Sequence, residues 1–199
     1  MININVVGLG YVGLTTALAF AFKGFKVVGV DTSINLLKKL SNGHVSIHEP
    51  NLEKILNKNL KNKRIFFKNN TEIKHNSINI IFVCVGTPQK KNGSVDLRQI
   101  KNVIKKINNK IKNEKVIIVI KSTVPPGSIE EIKKMSKFKQ NINYVSNPEF
   151  LREGSAWNDV IYADKILIGA ENKFSIKYLK KIYKKFNGKI VLSNFETAE

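Results

Sequence analysis

A single cysteine, three histidines and three arginines are spread over 199 residues. One cysteine excludes a disulfide framework and a paired-cysteine metal site. Cys84 lies inside "INIIFVCVGTP", a buried-strand pattern in which cysteine acts as a small hydrophobe. His44, His48 and His75 lack metal-ligand spacing and read as surface positions, so no metal is expected. No apolar run approaches the ~20 residues of a membrane span. "MININVVGLG" starts directly with a strand, without the basic-then-apolar order of a leader, so a cytoplasmic protein with no membrane partner is expected. Arginine is also scarce against a net charge of +19: only Arg64, Arg98 and Arg152 stand among 34 basic residues. Guanidinium forks dominate base and phosphate readout. The lysines run along helical stretches such as "IKKINNKIKNEK" and "IKYLKKIYKKF". The charge therefore reads as a solvated lysine surface, with no specific nucleic-acid partner.

What is present is apolar and periodic. Hydrophobic residues make up 42% of the chain, enough for a real core. Near-continuous Val/Ile runs at Ile4–Val7, Lys26–Val30, Ile80–Val85 and Val116–Ile120 have the character of parallel strands buried on both faces. Weaker strand signals occur at Tyr144–Val145, Ile166–Ile168 and Ile190–Leu192. Helical patterns occupy Val12–Lys23, Leu36–Leu40, Leu52–Leu60 and Leu97–Ile111. This alternation implies an α/β fold: a doubly wound, mostly parallel, Rossmann-like sheet with helices on both faces. Pro88, Pro125, Pro126 and Pro148 fall where strands hand over to loops, at the carboxyl edge where such sheets bind ligands.

The stretch "VVGLGYVGLTTALAFAFKGFKVVGVD" carries the first functional signal. Gly8, Gly10 and Gly13 follow a strand and open a helix. In that context the first permits a tight turn, the second a close backbone approach to a pyrophosphate, and the third tight helix–strand packing. Tyr11 and Val12 begin the helix, whose N-terminal N–H groups and dipole favour phosphate. Asp31 closes the second strand 18 residues beyond Gly13, placed to accept both adenosine ribose hydroxyls and to repel a 2′-phosphate. NAD is the expected cofactor.

Four further motifs follow in order: "VGTP" at 85–88, "KSTVPPG" at 121–127, "NPEFLREGSAWND" at 147–159 and "ILIG" at 166–169. With the glycine loop, this ordered set resembles the UDP-glucose/GDP-mannose dehydrogenases across essentially the whole chain. The resemblance implies that Gly86, Thr87, Pro88, Ser122 and Thr123 join Gly8, Gly10, Tyr11, Val12, Gly13, Asp31 and Glu153 around NAD. It implies that Glu149 is an acid/base and that Thr123 holds a reacting water or oxygen near the nicotinamide. Glu149, Phe150, Leu151, Arg152 and Glu153, with the backbone to Gly154, would line the nucleotide-sugar pocket. Glu149 and Glu153 stand four residues apart, an unfavourable like-charge spacing on a helix and a better fit to a site.

The family reaction oxidises a hexose C6 alcohol to a carboxylate with two NAD+, here UDP-glucose to UDP-glucuronate. By the same resemblance its nucleophilic cysteine, its lysine and asparagine, and its UDP-binding domain lie beyond residue 199. Residues 1–194 are then expected to form the NAD-binding domain and 195–199 ("FETAE") to begin a linking helix, with the chain inactive alone and the full-length form a homodimer. Two features depart from the family pattern. Leu36 replaces a cofactor-side Lys or Arg, a loss that Lys38 or Lys39 would offset, and Ala163-Asp164-Lys165 replaces Pro-Asp-Arg. A non-catalytic NAD-binding module and a basic nucleic-acid-binding protein are the alternatives.

Overall fold

A computed structural model describes residues 1–136 and 140–199. In chain order the elements are β1 (Ile2–Val7), α1 (Tyr11–Phe22), β2 (Val27–Val30), α2 (Ile34–Ser41), α3 (Leu52–Lys61), β3 (Ile65–Lys68), β4 (Ile78–Val83) and α4 (Arg98–Asn108). They continue with β5 (Val116–Ile120), α5 (Ser128–Lys134), β6 (Ile142–Ser146), α6 (Ala156–Ile161), β7 (Lys165–Gly169), α7 (Lys173–Tyr183), β8 (Lys189–Ser193) and α8 (Phe195–Ala198). The strands form one eight-stranded sheet in the order β3-β2-β1-β4-β5-β6-β7-β8. All neighbours run parallel except β6 and β7, which meet antiparallel at Ser146 and Gly169.

The central strands are apolar at nearly every position because both faces are covered; the exceptions, Asn3 and Asn5 of β1 and Asn79 of β4, are buried with their amides hydrogen-bonded. Ile80 and Phe82 of β4 and Ile117 and Val119 of β5 pack under one helix layer, together with α1. Their alternates Ile81, Val83, Ile118 and Ile120 pack with α4 and α5 on the other. Period-two alternation thus buries the whole run. Helix α1 is enclosed along almost its whole length, and its alanines (Ala17, Ala19, Ala21) let the sheet and neighbouring helices approach. Phe20 anchors this layer, with ring centroids 4.7 Å from Phe82 and 5.7 Å from Phe186.

Three readings of the sequence need correction. Strand β4 is Ile78–Val83, not Ile80–Val85, because it pairs residue for residue with β1 and the chain leaves the ladder at Cys84. Strand β3, "IFFK", has no counterpart in the apolar pattern; as a short sheet edge it buries only one of its four residues. Helix α4 closes at Asn108, three residues before Ile111. The four-residue α8, begun by the Asn194 side chain accepting from the Thr197 N–H, packs on β7 with Phe195 buried. Among the described residues no helix is long and apolar enough to cross a membrane.

Candidate functional site

The motif loops all lie at the carboxyl edge of the sheet, each stitched to the neighbouring strand. Gly8 N–H donates to Val30 O at 2.8 Å, Cys84 N–H to Val7 O at 2.8 Å, Lys121 N–H to Val83 O at 2.9 Å, and Asn147 N–H to Ile120 O at 2.9 Å. The loops are also tied to each other: Ser122 Oγ donates to Val85 O at 2.6 Å and Thr87 Oγ1 to Thr123 O at 2.9 Å. "VGTP" and "STVPPG" therefore form one wall, with the Thr123 side chain exposed above it.

The three fingerprint glycines separate by cause. Gly8 has φ +88°, and a Cβ there would sit 2.9 Å from the Cys84 carbonyl oxygen. At Gly13 it would fall 1.7 Å from Gly8 O. Both are required by the fold. At Gly10 a Cβ would meet nothing within 4 Å among the described residues. Packing gives no reason for that glycine, whereas a ligand pressed against the backbone does. Helix α1 has neither a side-chain N-cap nor an acidic residue in its first turn, so among the described residues no side chain satisfies its N-terminal N–H groups.

Gly8, Gly10, Asp31, Thr32 and Gly86 line a cleft of about 540 Å³, within the ~300–1,000 Å³ of small-molecule sites. Asp31 Oδ2 accepts from Leu9 N–H at 2.8 Å and Oδ1 from Ser33 N–H at 2.9 Å, so the carboxylate braces the glycine loop. Each oxygen retains acceptor capacity for a ligand hydroxyl. The cleft is also lined by a stripe of α4 (Gln99, Asn102, Lys106), by Lys110 just beyond that helix, and by the loop 69–71 after β3, where Lys110 Nζ donates to Thr71 O at 2.9 Å. An uncapped helix N-terminus, an unobstructed glycine and a strand-end carboxylate in one cleft fit a dinucleotide.

Sequence reasoning missed the α4 stripe and the 69–71 loop. The stripe was readable as a polar helical face of "RQIKNVIKKIN", but the loop follows the unread β3. The cleft lysines are Lys106 and Lys110; Lys38 and Lys39 are not among its lining residues.

The "NPEFLREG" segment is extended and turned, so Glu149 and Glu153 are not on a helix. Glu149 Oε2 accepts from Leu151 N–H at 2.6 Å. Glu153 is exposed and has no polar partner among the described residues. The Arg152 guanidinium is committed to Asp159 (Nη2–Oδ1 2.7 Å), whose carboxyl it holds below its usual range. Phe150 is half exposed beneath Lys165 Nζ, 4.9 Å from the ring centroid. Tyr11 does not line the cleft; its hydroxyl points to this segment instead, 2.8 Å from Arg152 O. Val12, Thr87, Pro88, Ser122 and Thr123 likewise lie outside the cleft lining; Ser122 is tied to the lining residue Val85, and Thr123 to Thr87 of the same loop.

A second hollow of about 60 Å³ is lined by Glu149, Lys121, Phe150, Leu151, Lys165 and Tyr183 among others. The Lys121 amine is buried, 3.4 Å from Asn147 O, and burial lowers its pKa. Burial pushes the Cys84 thiol up to about 12, so it stays protonated and is no nucleophile.

A strand, glycine loop, helix, second strand and terminal carboxylate at this sheet edge define an NAD-type dinucleotide-binding domain. The chain belongs to the UDP-glucose/GDP-mannose dehydrogenase family, with residues 2–187 matching the model of that family's NAD binding domain. UDP-glucose 6-dehydrogenase of Rickettsia prowazekii is 38% identical over 201 residues, covering 99% of this chain and 46% of the relative. Among solved structures, GDP-mannose dehydrogenase from Pseudomonas aeruginosa superposes with TM-score 0.89 at 32% identity, over 98% of this chain and 47% of that one. A UDP-glucose dehydrogenase from Pyrobaculum islandicum gives TM-score 0.89 at 32% identity, over 100% and 47%. The chain spans somewhat under half the length of these relatives.

Proposed function

We propose that this chain is the cofactor-binding portion of an NAD-dependent nucleotide-sugar 6-dehydrogenase that oxidises UDP-glucose to UDP-glucuronate with two NAD+. The observation that carries this reading is adjacency. The cleft with Gly10 and Asp31 lies beyond β1 and β2 and the 147–154 segment with Glu149 beyond β6, all at one carboxyl edge of the sheet, and the hydroxyl of Tyr11, next to Gly10, lies 2.8 Å from Arg152 O of that segment. A bound NAD+ supplies the hydride acceptor. Asp31 holds the adenosine ribose and Gly10 the diphosphate. Glu149 serves as acid/base, Thr123 orients the reacting water or oxygen, and the Phe150–Gly154 backbone cradles the sugar nucleotide. Glu153, exposed on the same loop, reaches towards the cofactor.

UDP-glucose is favoured over GDP-mannose by the named UDP-glucose 6-dehydrogenases at 35–39% identity. The two solved relatives of either kind match this domain equally well in shape, in keeping with sugar selection outside the sheet. The nucleophile, and the homodimer in which the longer protein acts, belong to sequence absent from these residues. The pure chain therefore binds NAD+ without turning over. Production of NADH on adding UDP-glucose and NAD+ to it would contradict this division of labour. A non-catalytic NAD-binding module is the second reading, favoured only if an extended chain containing this domain also fails to form NADH.

A further inference from the structure

Glu49 lies in the loop between α2 and α3, outside every motif. Its carboxylate is almost fully buried at 8% exposure, and among the described residues no cation lies within ion-pair distance. Burying a carboxylate costs several kcal/mol unless its oxygens are satisfied. Here three donors satisfy them. Tyr11 Oη donates to Oε2 at 2.8 Å, Gly154 N–H to the same oxygen at 3.1 Å, and Trp157 N–H to Oε1 at 3.2 Å.

These donors come from the two loops that matter. Tyr11 adjoins Gly10 at the start of α1, and Gly154 and Trp157 bracket the end of the 150–157 segment. Gly154 takes φ +79° where a Cβ would meet nothing within 4 Å among the described residues, so its glycine is needed for conformation and not for space. Burial and the Glu49 charge together raise the Tyr11 phenol to about 12, which keeps it a donor. The Tyr11 hydroxyl also lies 2.8 Å from Arg152 O, within the same segment. Contacts joining residues 38, 105 and 108 positions apart in sequence all meet on one side chain. Beyond them, the Trp157 ring packs edge-on against Phe22 of α1 at 5.4 Å, anchoring the far end of the segment.

We propose that Glu49 is a positioning residue that couples the glycine loop to the 150–157 segment, so that NAD+ binding at Gly10 orders the segment that cradles the sugar nucleotide. This rests on the function proposed above for that segment. Glu49 touches neither cofactor nor substrate in this arrangement; it acts through Tyr11, Gly154 and Trp157.

The chain supplies its own reporters. It has one tryptophan, Trp157, and three arginines, Arg64, Arg98 and Arg152. Cleavage by an arginine-specific protease therefore reads the segment at Arg152 against two internal controls. In the wild-type chain NAD+ should shift Trp157 emission and slow cleavage after Arg152, with Arg64 and Arg98 unchanged. Glu49→Gln keeps the shape but turns one acceptor into a donor facing donors. It should speed cofactor-free cleavage at Arg152 on the order of tenfold, the equivalent of one charge-assisted hydrogen bond, and abolish the protection by NAD+. Tyr11→Phe, which removes one hydroxyl and leaves the core untouched, should move both readouts the same way by a smaller factor. Wild-type protection retained in Glu49→Gln and Tyr11→Phe overturns the proposal, as does NAD+ binding without any change at Arg152 in the wild type. A wild-type chain that shows no calorimetric heat with NAD+ refutes the coupling and the assigned function together. Binding that survives in Glu49→Gln while protection is lost supports both.

Discussion

Gly10→Ala and Gly13→Ala test whether the glycine loop is built for a ligand or only for packing. The two sites differ sharply in what an added methyl meets. At Gly13 it would lie 1.7 Å from a backbone oxygen that cannot move without displacing the loop. Overpacking of that kind costs about 1–3 kcal/mol or more, or roughly 2–12 °C in melting temperature for a chain of this size. At Gly10 the backbone is already in a conformation open to any residue (φ −70°, ψ −161°), and the methyl meets nothing within 4 Å among the described residues. Alanine is about 1 kcal/mol poorer than glycine as an N-cap, but it recovers about 0.4–1 kcal/mol by restricting the unfolded chain. The melting temperature of Gly10→Ala should therefore stay within about 2 °C of wild type. Its NAD+ affinity should still fall, because the methyl occupies the cleft where phosphate would approach the α1 N–H groups. Losing one or two charge-assisted hydrogen bonds at ~1.5–3 kcal/mol each amounts to at least tenfold. Scanning fluorimetry and isothermal titration on the two variants give both numbers. Wild-type NAD+ affinity in Gly10→Ala would refute the ligand explanation of that glycine.

Cys84 should resist alkylation at neutral pH in the folded chain and react at once in denaturant, since burial holds its thiol at about 12; a time course with a maleimide followed by mass spectrometry checks this. Lys121 buries an amine with no carboxylate within ion-pair distance among the described residues, so Lys121→Met, which keeps the volume, should raise stability by about 1–3 kcal/mol in urea unfolding. Because the folded pKa of Lys121 is lowered, its penalty is greatest below the unfolded lysine value and fades as pH rises towards it; Lys121→Met should flatten that alkaline dependence. Asp96 is held at about 2 by the side chain and backbone N–H of Arg98, and Glu72, by Lys68 and Lys74, is also lowered. Depressed carboxylates stabilise the fold above their unfolded values near pH ~4. Urea midpoints should be steady from about pH 5 to 7 and drop between about pH 4 and 2.

The doubly covered strands were legible because a central parallel strand buries both faces and is therefore almost wholly apolar, as in "VVGV", "INIIFV" and "VIIVI". Strand β3 was not, because an edge strand buries so little that its apolar residues look like any loop's. The antiparallel step between β6 and β7 rests on a single residue pair and leaves no periodic trace. Of the site, the glycines and Asp31 could be read because backbone geometry restricts what may stand there. The α4 stripe and Glu49 could not: their roles depend on which face of a helix meets a distant loop, and a buried carboxylate looks in sequence like a surface one. Leu36 shows the same limit. The cationic side chains of the cleft are Lys106 of α4 and Lys110 just after it, not Leu36's neighbours Lys38 and Lys39.

Titration of NAD+ into the wild-type chain and into Asp31→Ala by calorimetry bears most directly on the cofactor site. Saturable binding of one NAD+ per chain, weakened by about 1–3 kcal/mol when the carboxylate is lost, is the expected result. No heat at millimolar NAD+, or equal affinity in both chains, would mean that the cleft between Asp31 and α4 does not hold the cofactor.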